Sequence, residues 1–171
     1  MRILLTAEQI ADRVRELGIQ ISRDYGQTEP VLVCLLKGSV VFLADLMRSL
    51  SIPHTIEFLR ASSYGAGTVS SGHVHLSSLD VDLAGREVLI VEDIVDTGRT
   101  LQYIRTYLLS KNPASLKVCA LLDKPETRLF HTPVEYSGFS IPELFVVGYG
   151  LDWDEKYRHL PFIAVIEEEV G

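Results

Sequence analysis

The sequence predicts an α/β fold, a mainly parallel twisted sheet with helices on both faces, and three observations carry this. A continuous apolar run followed by a turn and an amphipathic helical stretch occupies Val31–Leu50, and the same succession returns over Val88–Leu109. The apolar runs are unbroken rather than alternating, the pattern of strands buried on both faces. The 171 residues are 47% hydrophobic, with a mean hydropathy of +0.19, enough for a single well-buried domain over 1–171.

Taken in order, Thr6 with Gln9 forms a capping box before a first helix, whose Ile10, Val14, Leu17 and Ile21 mark one face for covering a sheet. Val31–Leu36 is a buried strand, Lys37-Gly38-Ser39 a turn, and Val40–Leu50 a helix. His54–Ala61 reads as a further strand. The stretch 62–72, SSYGAGTVSSG, consists mostly of Gly, Ser, Thr and Ala, which neither pack a core nor fix one conformation, so a mobile loop is expected there, either a slack hairpin linker or a lid. Val88–Val91 is a short parallel strand, and Leu101, Ile104, Tyr107 and Leu108 share one side of the helix that follows. Ser115–Leu122 is another buried strand, and Phe145–Gly148 and Ile163–Ile166 supply two later ones.

Composition narrows the function. A net charge of −7 argues against a surface dedicated to nonspecific nucleic-acid binding and is compatible with small anionic substrates bound with a metal. No apolar run approaches membrane-spanning length, so a cytoplasmic protein without a membrane partner is expected. Cys34 and Cys119 lie inside apolar runs without metal-ligand spacing and read as buried free thiols. There is no GxxxxGK[ST] loop, and Gly65-Ala66-Gly67 lacks the setting of a dinucleotide fingerprint. His73 and His75 read as flanking the loop on one face of a strand rather than as metal ligands, and His54, His131 and His159 form no recognisable set.

The chemistry concentrates in Val91–Thr100, VEDIVDTGRT, where an apolar strand ends in two acids and turns into a helix. Such a turn offers unpaired backbone N–H groups, the positive end of the helix dipole, and the hydroxyls of Thr97 and Thr100, an arrangement suited to one phosphate group. Gly98 tolerates positive φ and close approach, and Arg99 adds a charged contact. Glu92, Asp93 and Asp96 would repel a phosphate unless a divalent cation or sugar hydroxyls intervene. Mg²⁺ with a ribose satisfies both conditions.

This decapeptide resembles the phosphoribosyl diphosphate motif of the type I phosphoribosyltransferases: hydrophobic residues, two acids, a variable loop and Thr-Gly-x-Thr. The resemblance implies the type I phosphoribosyltransferase fold, with a small hood formed by the N-terminal and C-terminal segments and a flexible loop. Ser63 and Tyr64 match the Ser-Tyr of the flexible loop of hypoxanthine-guanine phosphoribosyltransferases. The Leu36–Ser39 turn resembles the family's diphosphate loop, with Lys37 and Gly38 at the leaving group and a cis peptide implied between Leu36 and Lys37. LLDK ending at Lys124, and LFVVGYGLD running into Trp153-Asp154-Glu155-Lys156-Tyr157-Arg158, match the same enzymes.

Each of these residues has a plainer reading alone: Lys37 as a solvated turn lysine, Phe145 as core, Lys124 as a solvated strand end, Asp152 as a cap, Arg158 as half of a surface ion pair. Together they follow one family in order and approximate spacing from about Val31 to Ile166.

The resemblance then implies transfer of the phosphoribosyl group from phosphoribosyl diphosphate to hypoxanthine or guanine, giving IMP or GMP and diphosphate, in purine salvage. Asp96 is implied as general base near purine N7, with Lys124 at the oxygen on purine position six and Arg158 neutralising the diphosphate. Glu92, Asp93, Asp96, Thr97, Gly98, Arg99 and Thr100 would hold the phosphoribosyl group, and Lys37, Gly38, Ser63, Tyr64 and Arg158 the diphosphate. Lys124, Phe145, Val146 and Asp152 would hold the purine, and Glu92, Asp93 and Asp152 the Mg²⁺. A homodimer or homotetramer is implied. Arg99 departs from the lysine or small apolar residue often found before the last Thr of the loop, and Trp153 stands where members vary. The competing readings are a xanthine-preferring enzyme and an RNA-binding regulator on the same fold; Asp96 and the acidic charge weigh against the regulator.

Overall fold

The computed structural model describes residues 1–63 and 74–167. Its elements run β1 (Arg2–Leu5), α1 (Ala7–Tyr25), β2 (Val31–Leu36), α2 (Val40–Ser49), β3 (Thr55–Ser63), β4 (Val74–Leu76), β5 (Glu87–Val95), α3 (Arg99–Leu109), β6 (Ser115–Asp123), a 3₁₀ turn (Pro125–Thr127), β7 (Tyr136–Ser140), β8 (Val146–Val147) and β9 (Ile163–Val165). The main sheet has six strands in the order β4-β3-β2-β5-β6-β7, parallel throughout except for the antiparallel edge pair β3–β4. A second, antiparallel sheet of order β1-β9-β8 joins the two ends of the described chain.

Side-chain parity explains the unbroken apolar strands. Leu32, Cys34, Leu89, Val91, Cys119 and Leu121 point to one face and pack with Ile10, Val14, Leu17 and Ile21 of α1 and Phe42, Leu43 and Leu46 of α2. Their neighbours Val31, Val33, Val88, Ile90, Val118 and Ala120 point to the other face, under Leu101, Ile104 and Leu108 of α3. Because successive Cβ atoms alternate across a strand, covering both faces requires an apolar residue at every position. The helices therefore divide two to one between the faces. Cys34 and Cys119 are buried and free, and burial raises the Cys34 thiol to about 12.

The capping box forms as expected: the Thr6 hydroxyl accepts from the Gln9 amide while the Gln9 side chain accepts from the Thr6 amide. Several boundaries differ from the sequence reading. The strand ending at Val91 continues to Val95, because its ladder with β6 runs on through Glu92↔Ala120, Ile94↔Leu122 and Val95↔Asp123. Ser62 and Ser63, placed in the loop by composition, extend β3 by pairing with β4. The rest of the loop, 64–72, lies outside the described residues, as does His73. The helix reading to Leu50 ends at Ser49. Strand β4 carries His75 as the sequence reading places it, whereas β1 and β7 are not among the strands read from sequence. Among the described residues, no helix is long and apolar enough to cross a membrane.

Candidate active site

The carboxyl ends of β2, β5 and β6 lie side by side, where ligands of parallel sheets bind. From β5 the chain passes through Asp96 and Thr97 to Gly98, which caps α3 at φ +84°. Beyond its freedom in φ, Gly98 has a packing role: a Cβ here would lie 2.9 Å from both Arg128 Cδ and the Phe130 carbonyl. The turn is pinned to that neighbouring loop, since the Thr97 carbonyl accepts from the Leu129 amide at 2.9 Å and the Phe130 amide at 3.1 Å. Thr97 Oγ1 accepts from the Arg99 amide. Glu92 and the run 94–101 enclose a cavity of about 100 Å³. Arg99 helps line it, while its guanidinium lies 5.6 Å from the Phe130 ring centroid.

Lys124, at the end of β6, is 7% exposed, and its Nζ stands 3.4 Å from Asp96 Oδ2. The Lys124 amide donates to the Val95 carbonyl, fixing the two strand ends in register. Arg128, which the sequence reading missed, donates from Nε to the Asp96 carbonyl and also pairs with Asp123. Its place in an irregular segment gave no pattern to read.

Ser39, likewise given no role from sequence, joins the β2–α2 turn to β5: its buried hydroxyl accepts from the Asp93 amide at 2.9 Å. The peptide between Leu36 and Lys37 in that turn is cis. Gly38 has no space for a side chain, because a Cβ would fall 1.8 Å from Asp93 Oδ2. Lys37 Nζ reaches Glu155 Oε2 at 3.0 Å. Arg158 donates to the Gly150 carbonyl at 2.7 Å and pairs with Asp152 and Glu155 at 3.3 Å each, and its buried Nε has no partner among the described residues. Phe145 is 56% exposed, and Val146 is buried in β8, an edge strand with one side of its backbone unpaired by the sheet. Tyr64 lies outside the described residues.

Burial holds the Glu92 carboxyl well above the ordinary carboxylate range, with the Asp93 charge adding to it. Burial also raises Asp93 to about 6; amide hydrogen bonds and Arg158 oppose the rise, and Asp152 adds to it. A folded pKa above the ordinary 3.8 means that the native state holds a proton the unfolded chain has released. The stability this group contributes is complete below about pH 4 and is lost as pH rises through about 6. Thermal unfolding of the ligand-free protein should therefore show Tm falling between about pH 5 and about pH 7.5, and falling less in Asp93→Asn.

The phosphoribosyl transferase domain family matches residues 2–154. A hypoxanthine-guanine phosphoribosyltransferase of Mycobacterium tuberculosis is 49% identical over 175 aligned residues, covering 98% of this chain and 87% of that protein. The chain belongs to the hypoxanthine-guanine phosphoribosyltransferase family. A hypoxanthine phosphoribosyltransferase of Salmonella typhimurium is 47% identical, covering 97% of this chain and 95% of that one. The crystal structure of a hypoxanthine-guanine phosphoribosyltransferase from Bacillus anthracis superposes with a TM-score of 0.93 at 46% identity, covering 98% of this chain and 99% of that chain. The type I phosphoribosyltransferase fold expected from the decapeptide is thus the fold of this phosphoribosyltransferase.

Within the family fold, Asp96, Lys124 and the cradle meet at the β5–β6 ends. Lys37, Gly38, Asp93, Asp152 and Arg158 converge at the β2–β5 ends. Among the described residues, no group of three or more His, Cys, Asp and Glu is placed to hold a metal ion. Mg²⁺ is ordinarily held by one or two carboxylates plus substrate phosphates and water, and the oxygen-only donors Asp93 and Asp152 beside a cradle fit that chemistry.

Proposed function

We propose that this enzyme transfers the phosphoribosyl group of phosphoribosyl diphosphate to a 6-oxopurine, hypoxanthine or guanine, in purine salvage. The observation that carries this is the pairing of buried Lys124 with Asp96 beside a phosphate-sized cradle. An ammonium has donors and no acceptor, so Lys124 suits a base oxygen and would be left unpaired against the amino group of adenine. Phe145 supplies a stacking face, and the free edge of β8 at Val146 supplies main-chain groups for the base edge.

The purine nitrogen bonds to the anomeric carbon as the bond to the diphosphate oxygen breaks, and the departing charge is met by Lys37, the Gly38 backbone and Arg158. Asp96 accepts the purine proton as the glycosidic bond forms. The cradle amides, with Thr97 and Thr100, hold the 5′-phosphate and so fix the anomeric carbon against the base. Glu92 and Asp93 hold ribose hydroxyls. Asp93 and Asp152 are the residues that would hold Mg²⁺, which when bound would offset the diphosphate charge; Glu92, 3% exposed, does not gather with them as a third ligand among the described residues. Ser63, at the end of β3, and Tyr64 after it are the residues proposed to help hold the diphosphate where water has to be kept from an oxocarbenium-like sugar. The enzyme is read as one domain with its hood at the two chain ends, cytoplasmic, and assembled as a homodimer or homotetramer.

Product formation from phosphoribosyl diphosphate and Mg²⁺, with hypoxanthine, guanine, xanthine, adenine and uracil in parallel, tests the base assignment. Turnover of hypoxanthine or guanine without adenine is the expected result. A preference for xanthine would move the substrate, and turnover of adenine would overturn the role given to Lys124.

A further inference from the structure

Residues 153–156 form a two-residue hairpin in which Trp153 and Lys156 exchange both backbone hydrogen bonds, at 3.1 and 3.0 Å. Both central residues lie in the left-handed region, Asp154 at φ +53° and Glu155 at φ +62°. Turns of this kind favour Asn-Gly or Asp-Gly, because a Cβ is disfavoured at positive φ. Glycine would serve the turn better at position 155, yet a long carboxylate stands there. It is not idle. A single oxygen, Oε2, accepts from Lys37 Nζ at 3.0 Å and Arg158 Nη2 at 3.3 Å, bridging two cations whose residues lie 118 and 3 positions away. The Glu155 amide donates to Asp152 Oδ2 at 2.8 Å, so the same turn is tied to the third charged residue of this corner.

We propose that Glu155 is an internal stand-in for the diphosphate: its carboxylate occupies the two cations when no substrate is bound, competes with the incoming anion, and recaptures them as diphosphate leaves. It rests on the reading of Lys37 and Arg158 as diphosphate ligands. A carboxylate oxygen between two cations presents the same charge and acceptor as a phosphate oxygen, so the site stays ordered without an exogenous anion. The side chain is 65% exposed and the turn costs conformational energy to hold, so the contact is readily given up. Glu155 is thus a positioning residue that sets how tightly diphosphate is retained.

Calorimetric binding of inorganic diphosphate, with and without Mg²⁺, to the wild type and to Glu155→Gln tests this. The variant should bind about three- to ten-fold more tightly, the range expected when half-exposed ion pairs no longer need breaking. KM for phosphoribosyl diphosphate should fall in parallel with no rise in kcat. Glu155→Gly, which also relieves the turn, should shift binding the same way. Unchanged or weaker diphosphate binding by both variants, with normal binding by the wild type, would overturn the inference alone. Failure of the wild type to bind diphosphate would instead remove the assignment of Lys37 and Arg158, and the inference with it.

Discussion

Replacing Asp96 by asparagine lowers kcat about 10²- to 10⁴-fold, the contribution typical of a positioned general base, with a much smaller change in KM for phosphoribosyl diphosphate. The structure makes this substitution a clean one. The Asp96 side chain is 51% exposed and its only close partner among the described residues is Lys124 Nζ at 3.4 Å, while the backbone of the turn is fixed independently through the Arg128 bond to the Asp96 carbonyl. Asparagine keeps the size of the side chain and a carbonyl oxygen for Lys124, so the cradle stays in place and only the proton-accepting carboxylate is lost. Steady-state kinetics with hypoxanthine measures the split. A rise in KM with kcat unchanged would mean that Asp96 binds substrate without serving as base.

Gly38→Ala should cost about 10²-fold or more in kcat/KM, the scale of loss that follows a misplacement of about 1 Å in a reactive site. The new Cβ would sit 1.8 Å from Asp93 Oδ2 and 2.9 Å from Asp93 Cγ, so the carboxylate has to swing away. The Asp93 amide remains fastened to the Ser39 hydroxyl, which prevents the strand from moving with it, while the bond from the Ile94 amide to Oδ1 is disturbed as the carboxylate turns. A carboxylate proposed for ribose or Mg²⁺ is thereby displaced while the hydrophobic core is untouched. Kinetics alongside a thermal melt checks the expectation: strongly reduced activity with a modest loss of Tm. Full activity in this variant would show that the position of Asp93 is unimportant to the reaction.

What the sequence made legible followed from local pattern. The strand Val31–Leu36, the capping box at Thr6 and the buried stripe of α1 all stand as read, because each depends on periodicity or on residues three apart. The cis peptide after Leu36 came from resemblance alone. The strand carrying the acids was read four residues short, since Glu92 and Asp93 break its apolar run even though its ladder with β6 continues. Strand β7, YSGFS, has little apolar signal and is held at the sheet edge by pairing with β6 and by Arg13, whose guanidinium donates to the Ser137 and Gly138 carbonyls. Strand β1 exists through its pairing with β9, at the far end of the chain.

The site divides in the same way. Its turn is readable because the residues of a strand-turn-helix unit are contiguous in sequence. Ser39, Arg128 and Glu155 were not, because their partners, Asp93, Asp96 and Lys37, come from other elements of the fold.

The central claim is phosphoribosyl transfer to a purine, and its most direct test is the stoichiometry of the reaction. The purified chain, given phosphoribosyl diphosphate, Mg²⁺ and hypoxanthine, should form IMP and release diphosphate in equal amounts, with both products absent when the base is omitted. Diphosphate release that proceeds without base and without nucleotide formation, or no reaction with any purine, would contradict it.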